Sequence, residues 1–386
     1  MNRLILVGNG FDLAKGLKSG YKDFIDWMWI NIVNTMIEKK SFSIKDDMVT
    51  TYSNLLFIEA KKVSDYETCQ EIISRNHISI EYNNEFFEIL SNKEDSSWVD
   101  IETEYFKELK SILQGESQKT IEKLNDDFEQ IKLELKKYLT SKLIDFELTR
   151  FDFTNLNENF NLLDFTSKGV EEFEKECRSR KDLSEISRIL NIKTYIKSGA
   201  YIYCNTNIFP ENVLFLNFNY TDLIPKMLDE IQTNIGKFGK WSKSKMESLY
   251  IHGQLNQDAN SIIFGYGDEN DELQNEIEKK GGDYLNNIKT INYLKTPNYK
   301  KVLSFLDSDN FQVFIMGHSC GLSDKTLLKT IFEHPNCISI RPFYYIDKKG
   351  NNNYNDIVKN IYRTFTDKAL MRDKVVNQEY CSELKV

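Results

Sequence analysis

Proline and glycine are scarce in this chain, which has only 5 Pro and 17 Gly among its 386 residues. Collagen-like, linker-rich and disordered chains need far more of one or both, so these classes are excluded. Aromatic residues are plentiful, with 25 Phe and 20 Tyr. The length and the 40% hydrophobic content fit one large domain or two ordinary ones with a sizeable core.

Long apolar runs and paired cysteines are also absent. No segment approaches the roughly 18 apolar residues of a transmembrane helix, and Met1–Val7 fits a first β-strand better than a secretory signal. The six cysteines include no C-x-x-C pair, so neither a zinc ribbon nor a disulfide framework is expected. The acidic Asp268–Glu272 lacks the spaced glycine of a calcium loop. We therefore predict a cytoplasmic protein with reduced thiols, no metal and no membrane partner.

Positive charge is in deficit: 50 Lys and Arg face 59 Asp and Glu, a formal net charge of −9. Binding to bulk nucleic acid draws most of its affinity from Lys and Arg on phosphates. A nucleic-acid partner is therefore disfavoured, while a small local pocket for a nucleotide is compatible with this charge.

Short apolar runs alternate with helical patterns at the start of the chain and in its second half. Arg3–Val7 is nearly continuously apolar, which is typical of a strand buried on both faces. Further β signals are Asn212–Asn217, Ser248–His252, Ser261–Phe264, Asn310–Met316 and Ile338–Tyr345. Helical patterns between and after them are Thr221–Gln232, Lys325–Glu333 and Tyr354–Phe365. The alternation predicts an α/β fold with a doubly wound, mostly parallel, Rossmann-like sheet.

The region between these parts has a different pattern. It holds no proline, and segments such as Tyr105–Leu113 and Thr120–Leu148 have apolar residues three and four positions apart. These segments predict long amphipathic helices. We therefore expect a nucleotide-binding domain formed by residues 1–30 and 200–386, and a mostly helical insertion or cap domain at 31–199, between the first and second strands.

Two motifs follow predicted strands and suit a nucleotide. The first is Gly8-Asn9-Gly10-Phe11-Asp12. Glycines at such a turn let the backbone approach a phosphate, but Leu13 stands where the dinucleotide fingerprint has its third glycine. The second motif is Asn217-Phe218-Asn219-Tyr220-Thr221-Asp222, placed where open α/β sheets bind their ligands. For both, simple helix capping stays an alternative.

Two more motifs end predicted strands with a histidine. His252, followed by Gly253, could serve as a general base or hold a ribose hydroxyl; a structural histidine is the alternative. The other motif is Gly317-His318-Ser319-Cys320-Gly321. This G-x-S-x-G pattern also allows a serine hydrolase with Ser319 as nucleophile. His334 is the only histidine after Ser319, so the usual order of a triad is not met.

The motifs together resemble the AbiH family of bacteriophage abortive-infection proteins. The segments that carry the resemblance are Leu4–Trp27, Trp98–Glu102, Leu216–Leu223, Ile251–Gly253, Phe264–Glu269 and Gly317–His334. They occur in order along most of the chain. The resemblance implies a bacterial protein that stops growth of the infected cell before phage are released.

A more distant resemblance to sirtuin-like NAD-binding domains implies the chemistry. By it, the Gly8–Asp12 turn faces the pyrophosphate, Asn219 holds a water near the nicotinamide ribose, and His252 contacts the ribose as base. Gly317 and Ser319 line the adenosine side. This chain departs from the sirtuin pattern in having Asp12 in place of Ser, and it lacks the paired C-x-x-C zinc module, which argues against lysine deacetylation.

The combined resemblances imply an abortive-infection effector that binds NAD or a related nucleotide and hydrolyses NAD. The predicted catalytic residues are Asn219 and His252. The predicted binding residues are Gly8, Asn9, Gly10, Phe11, Asp12, Asn217, Asp222, Gly317, His318 and Ser319. A non-catalytic nucleotide sensor or toxin-like interaction protein is one alternative, and the Ser319 hydrolase is another. A phage-derived trigger is expected, and a homo-oligomer stays open.

Overall fold

A computed structural model describes residues 1–57, 61–92, 98–144, 146–177, 179–195, 206–233, 244–266 and 273–386. These residues form two compact units. Unit 1 comprises Met1–Leu17, Glu147–Ile263 and Lys289–Val386, and unit 2 comprises Lys18–Phe146 and Phe264–Ile288. Compact units in space need not coincide with domains, so the domain boundaries at residues 31 and 200 stay a prediction.

Five parallel strands form the central sheet. The strands of the described residues are β1 (Asn2–Val7), β2 (Val49–Tyr52), β3 (Ser79–Tyr82), β4 (Asn212–Asn217), β5 (Lys245–Tyr250), β6 (Phe311–Met316) and β7 (Cys337–Phe343). The sheet has the order β5-β4-β1-β6-β7, and each neighbouring pair is parallel. The prediction of a parallel α/β sheet is thus confirmed.

The helices occur throughout the chain. They are α1 (Asn9–Ala14), α2 (Tyr21–Lys39), α3 (Tyr66–Arg75), α4 (Glu85–Ser91), α5 (Trp98–Leu113), α6 (Ile121–Ile144), α7 (Ser167–Glu176), α8 (Arg180–Tyr195), α9 (Leu223–Thr233), α10 (Gln274–Lys280), α11 (Lys289–Asn292), α12 (Asn298–Ser308), α13 (Lys325–Phe332), α14 (Tyr354–Thr364) and α15 (Lys368–Lys374). Within the described ranges, no helix is long and apolar enough to span a membrane.

Strand β1 is buried along its whole length, which explains its continuous apolar run. Leu4 and Leu6 point to one face, because side chains alternate along a strand. On that face they share a core with Val313 and Ile315 of β6 and with Leu328 of α13. The sheet is therefore held by apolar burial between its strands and the helices that follow them.

The opposite face of the sheet buries charge instead. The guanidinium of Arg3 donates to the Glu158 carbonyl at 2.7 Å and to Oε1 of Gln312 at 3.1 Å. Arg341 pairs with Glu158 at 2.8 Å and with Asp164 at 3.3 Å. Two cations and two carboxylates thus neutralise one another, although burial lowers the pKa of Arg3 to about 9. Removing one partner of such a network would leave an uncompensated buried charge.

Unit 2 packs around the long helix α6. Leu124, Phe128, Ile131 and Leu135 are buried at the three- and four-residue spacing of one helix face. The Phe128 ring stacks on Phe264 at a centroid distance of 5.2 Å. The predicted amphipathic helices at Tyr105–Leu113 and Thr120–Leu148 are confirmed in α5 and α6, the latter ending at Ile144.

One local prediction differs from the structure, and one pair of strands was not predicted. Ser261–Phe264 forms no strand. Ile263 and Phe264 are buried, and the Ile263 amide donates a single hydrogen bond to the His252 carbonyl at 2.8 Å. Burial, rather than strand pairing, explains this apolar run. The short antiparallel pair of β2 and β3 was not predicted. The acidic segment 268–272 lies outside the described residues.

Two leucine-to-alanine substitutions in unit 1 test the assignment of the core. Leu328 is 0% exposed and Leu294 is 70% exposed. Leu328→Ala should destabilise the sheet by about 2–5 kcal/mol, since it leaves a cavity, whereas Leu294→Ala should cost less than about 0.5 kcal/mol. Hydrogen exchange of the β6 amides measures both. Equal losses in the two variants would contradict this core.

Candidate functional site

The predicted site residues all lie in unit 1, at or just after the carboxyl ends of four neighbouring strands. The chain passes from β1 to β4 and β5 on one side and later adds β6 and β7 on the other. The carboxyl edge near such a reversal is where open parallel sheets bind ligands. The fold therefore places the motifs after β1, β4, β5 and β6 at the expected edge.

The glycines of the first motif make backbone contacts with the loop after β6. The Gly8 amide donates to the Met316 carbonyl at 3.2 Å, and the Gly10 amide donates to the Gly317 carbonyl at 2.8 Å. A Cβ on Gly8 would lie 2.5 Å from Cα of His318. Close packing between two loops thus requires these glycines. Both amides are already bonded within the protein, so the predicted pyrophosphate contact finds no support from these two donors.

Asp12 joins the first two motifs. Its Oδ1 accepts a hydrogen bond from Nδ2 of Asn219 at 2.8 Å, and its Oδ2 accepts one from the Thr221 hydroxyl at 2.7 Å. Nδ2 of Asn219 also donates to the Gly8 carbonyl at 3.0 Å. The Asn219 backbone amide donates to Oδ1 of Asn217 at 2.9 Å. The turn after β1 and the loop after β4 are therefore fastened together through buried side chains.

Burial raises the pKa of Asp12 to about 7, and the nearby Asp222 carboxylate adds to the rise. The hydrogen bonds from Thr221 and Asn219 act in the opposite direction, because they favour the charged form. Asp12 therefore titrates near neutral pH, where a carboxyl group can exchange a proton.

A second cluster surrounds Asp324, just before α13. Its Oδ1 lies 2.9 Å from Nε2 of His252 and 2.8 Å from Nζ of Lys289. Its Oδ2 faces Nε2 of His318 at 3.6 Å. The Tyr293 hydroxyl lies 3.3 Å from Nε2 of His252. The two predicted histidines are thus brought together by an acid and a lysine that the motifs did not assign.

The charge state of Asp324 follows from its neighbours. Burial by itself would raise its pKa, but the Lys289 ammonium and the His252 imidazole hold the pKa well below its usual range. Asp324 is therefore an ionised carboxylate in a buried position. Such a charge needs close partners, since desolvation without them is expensive.

The Phe218 ring packs against both histidines of the Asp324 cluster. Its ring meets the His318 ring at a centroid distance of 4.1 Å and the His252 ring edge-on at 5.1 Å. Phe218 itself is buried and belongs to the sheet core. An apolar ring between two imidazoles restricts how each can turn.

Other predicted residues lie nearer the rim or in the core. Phe11 is buried and stacks on Phe151 at a centroid distance of 6.4 Å. Asn9 and Asp222 are half-buried, and Asp222 pairs with Lys226 at 2.9 Å. The side chain of Ser319 is exposed.

The contacts around Ser319 do not favour the hydrolase alternative. In the part of the chain that the structure describes, no histidine hydrogen-bonds its hydroxyl. His334 instead faces Asp307 at 3.3 Å and accepts from the Asn336 amide at 3.2 Å. The neighbouring Cys320 is fully buried, and burial raises the pKa of its thiol far above the usual range. Neither side chain is an activated nucleophile here.

The residues that sequence patterns missed are Lys289, Tyr293 and Asp324. Asp324 follows the last motif closely, which is a weak signal. Lys289 and Tyr293 belong to no motif. Among the described residues, no group of three or more His, Cys, Asp or Glu could hold a metal ion.

Fold and site together define a parallel α/β protein with a buried polar cluster at the carboxyl edge of its sheet. The sequence model of one family, described as bacteriophage abortive infection AbiH, matches residues 4–346. The chain belongs to the AbiH family. No curated protein and no solved structure matches it. Family membership implies a role in abortive infection by bacteriophage.

Two glycine-to-alanine substitutions test the contact between the loops after β1 and β6. Gly317 has φ +73°, and a Cβ there would lie 2.1 Å from the Phe11 amide nitrogen. Gly350 has φ +84°, with nothing within 4 Å of such a Cβ. Gly350→Ala should cost about 1 kcal/mol from backbone strain. Gly317→Ala should cost about 3 kcal/mol or more, because the loops must separate. Urea unfolding gives both values, and similar losses would argue against the contact.

Asp12→Asn tests the buried carboxyl. The pKa of Asp12 is about 7 in the folded protein, against 3.8 for an unperturbed aspartate, so the folded state binds the proton more tightly. Wild-type protein should lose stability as pH rises from about 4 to about 7, by at most roughly 1.4 kcal/mol per pH unit. The variant should lack this loss. Urea unfolding across this range measures the difference. The control is Asp229→Asn, which changes an exposed aspartate. A constant difference between Asp12→Asn and wild type would refute the raised pKa.

Proposed function

We propose that this AbiH protein binds NAD at the carboxyl edge of a Rossmann-like, sirtuin-like sheet and hydrolyses the bond between nicotinamide and ribose. In this reaction the C–N bond to nicotinamide breaks, and the oxygen of a water bonds to the same ribose carbon. The water releases a proton, and nicotinamide leaves as a neutral molecule beside ADP-ribose. A base that can receive the proton is therefore required.

The observation that carries the proposal is the pair of His252 and Asp324. His252 follows β5 at the ligand-binding edge, and its Nε2 lies 2.9 Å from the carboxylate of Asp324. Asp324 in turn contacts Lys289 at 2.8 Å. A histidine oriented by an ionised carboxylate is a recurring arrangement for a general base. His252 thus has the surroundings that the proposed role needs.

Asn219 supports the proposal through its carbonyl. The amide nitrogen of its side chain is bonded to Gly8 and Asp12, which fixes the orientation of the group. Oδ1 is then the Asn219 atom that can accept a hydrogen bond from a water. A fixed acceptor near the ribose would hold that water for attack, since positioning alone lowers a reaction barrier substantially.

The strand order supports a Rossmann-like site. β1 lies between β4 and β6, because the chain adds strands first on one side of β1 and later on the other. Dinucleotide-binding sheets place their ligand at such a reversal. The engaged amides of Gly8 and Gly10 indicate that the pyrophosphate would use other donors, or that the loop after β6 moves when the ligand binds.

Hydrolysis of NAD suits abortive infection in chemical terms. Loss of this cofactor stops the redox metabolism of the infected cell, so phage production stops with it. Such an activity must be restrained before infection. The predicted catalytic side chains are only 5–6% exposed, which favours a closed state that a phage-derived trigger would open.

The same burial favours a second candidate, a nucleotide sensor without turnover. Asn219 and Asp12 can be understood as a fastening between two loops, and His252 as a buried structural histidine. A sensor would bind ADP-ribose and NAD with similar affinity, while nicotinamide would never be released. Calorimetry with both ligands, beside a nicotinamide assay, separates the two functions.

The decisive assay incubates purified protein with NAD and follows nicotinamide by chromatography. His252→Ala should lower the rate by about 100-fold or more, as loss of a general base does, and Asn219→Ala should lower it as well. His334→Ala is the matched control, because His334 also faces an aspartate but lies outside the cluster. Full turnover by His252→Ala would overturn its role. No release by wild type, purified or in extracts of infected cells, would exclude NAD hydrolysis.

A further inference from the structure

The segment at residues 375–384 runs along the outer edge of β7, the last strand of the sheet, and departs from it once. It forms a parallel bridge with Ile340 of β7 and another with Tyr344, just after the strand. Between these bridges, Gln378–Tyr380 forms a short 3-10 helix. Midway between Ile340 and Tyr344 is Pro342, which has no amide hydrogen to donate across a strand edge. The segment therefore leaves β7 where the strand offers it the fewest hydrogen bonds.

A cavity of about 440 Å³ lies beside this departure. It is lined by Arg341 of β7, by Glu379, Cys381 and Ser382, and by five residues between 154 and 161. Small-molecule sites have volumes of roughly 300–1,000 Å³, whereas one water occupies only about 30 Å³. The lining belongs to unit 1 and includes none of the residues of the candidate site. Unit 1 thus has a second concave surface of the size that a small molecule needs.

The charged groups of this cavity already neutralise one another. Arg341 is 3% exposed and pairs with Glu158 at 2.8 Å and with the buried Asp164 at 3.3 Å. An anionic ligand would have to displace Glu158 from Arg341, and a cationic ligand would have to displace Arg341 from Glu158. Separating a buried ion pair is expensive. Glu379 is exposed, and an ion pair at an exposed carboxylate contributes little. The lining therefore disfavours a charged ligand.

The remaining polar groups of the lining are side-chain amides and hydroxyls, which belong to Thr154, Asn157, Asn159, Asn161 and Ser382. Groups of both kinds donate and accept hydrogen bonds, as the hydroxyls of a sugar do. Two of the amides are held in place by the protein. Nδ2 of Asn159 donates to the Thr206 carbonyl, and Oδ1 of Asn161 accepts from the Leu163 amide at 2.9 Å. Fixed groups of this kind lower the cost of ordering on binding.

We propose that this cavity binds a small uncharged molecule rich in hydroxyl groups, of about the size of a monosaccharide. The amides and hydroxyls of the lining exchange hydrogen bonds with the hydroxyls of the ligand, and the pair of Arg341 and Glu158 forms a polar wall that stays intact. A free monosaccharide and the ribose of a nucleoside present the same chemistry, so both are probes. The site is separate from the one proposed for NAD and does not depend on its activity.

Methyl spectra of full-length protein labelled with [methyl-¹³C]threonine locate the ligand. Thr154 lines the cavity, whereas Thr221 lies at the carboxyl edge of the sheet, bonded to Asp12. Thr→Ser variants at these two positions assign their signals. D-Ribose should shift the Thr154 signal saturably, with a Kd on the order of millimolar for so small a ligand, and should leave the Thr221 signal in place.

Adenosine separates the two sources of the hydroxyl groups. Tighter binding of adenosine than of D-ribose at Thr154 would assign a nucleoside, and weaker or equal binding would assign a free monosaccharide. The absence of a saturable Thr154 shift with both probes would overturn the proposal. A D-ribose shift of equal size and Kd at Thr221 would overturn it too, because the effect would then not belong to the cavity.

The charge of the ligand is tested with D-ribose 5-phosphate. Its phosphate would face Glu158 inside the cavity, so it should bind at least about tenfold more weakly than D-ribose. Equal or tighter binding would contradict an uncharged ligand.

Two exposed asparagines provide a matched pair of variants. Asn157 lines the cavity, and Asn377 lies outside the lining. Asn157→Ala should weaken D-ribose binding by about three- to tenfold, as the loss of one hydrogen bond does. Asn377→Ala should bind like wild type. Equal affinities in the two variants would place the ligand elsewhere and reject this cavity as its site.

Discussion

The position of β1 between two parallel neighbours is the constraint on which the site depends. β1 pairs with β4 on one side and β6 on the other, so three strands end at the same edge, and β5 joins them through β4. The chain segments that follow these strands therefore lie close to one another. The backbone contact between Gly10 and Gly317, and the bonds from Asp12 to the loop after β4, follow from that meeting.

Two buried acids in this site have opposite protonation behaviour, and the cause is the presence or absence of a cation. Asp12 is bonded to neutral groups, so burial dominates and raises its pKa to about 7. Asp324 is equally buried but touches the Lys289 ammonium, and its pKa falls well below the usual range. One fold thus holds an acid that can be protonated near neutral pH and an acid that stays charged, which is how environments separate the roles of like groups.

Much of the fold could be predicted from the sequence because it depends on local patterns. The apolar run of β1 and the helical spacing in α6 and α13 each reflect a periodicity. Asn219 and His252 were placed after strands for the same reason, because the end of a strand can be recognised from the end of its apolar run. Lys289 could not be found, because its partner Asp324 is distant in sequence and an ion pair has no periodicity. The prediction of a strand at Ser261–Phe264 was wrong for a related reason. A buried segment is apolar whether or not it pairs with a strand.

The order of synthesis has a consequence for a protein that would harm its host. β1 is made early, yet β4 begins only at Asn212 and β6 at Phe311. Until those segments leave the ribosome, β1 has neither neighbour, and Asp324 arrives later still. A nascent chain therefore cannot assemble the histidine cluster during most of its translation, and a truncated product ending before β6 lacks it altogether. Contacts between distant parts of a chain form slowly, so under the proposed function an incomplete copy would have no assembled catalytic cluster.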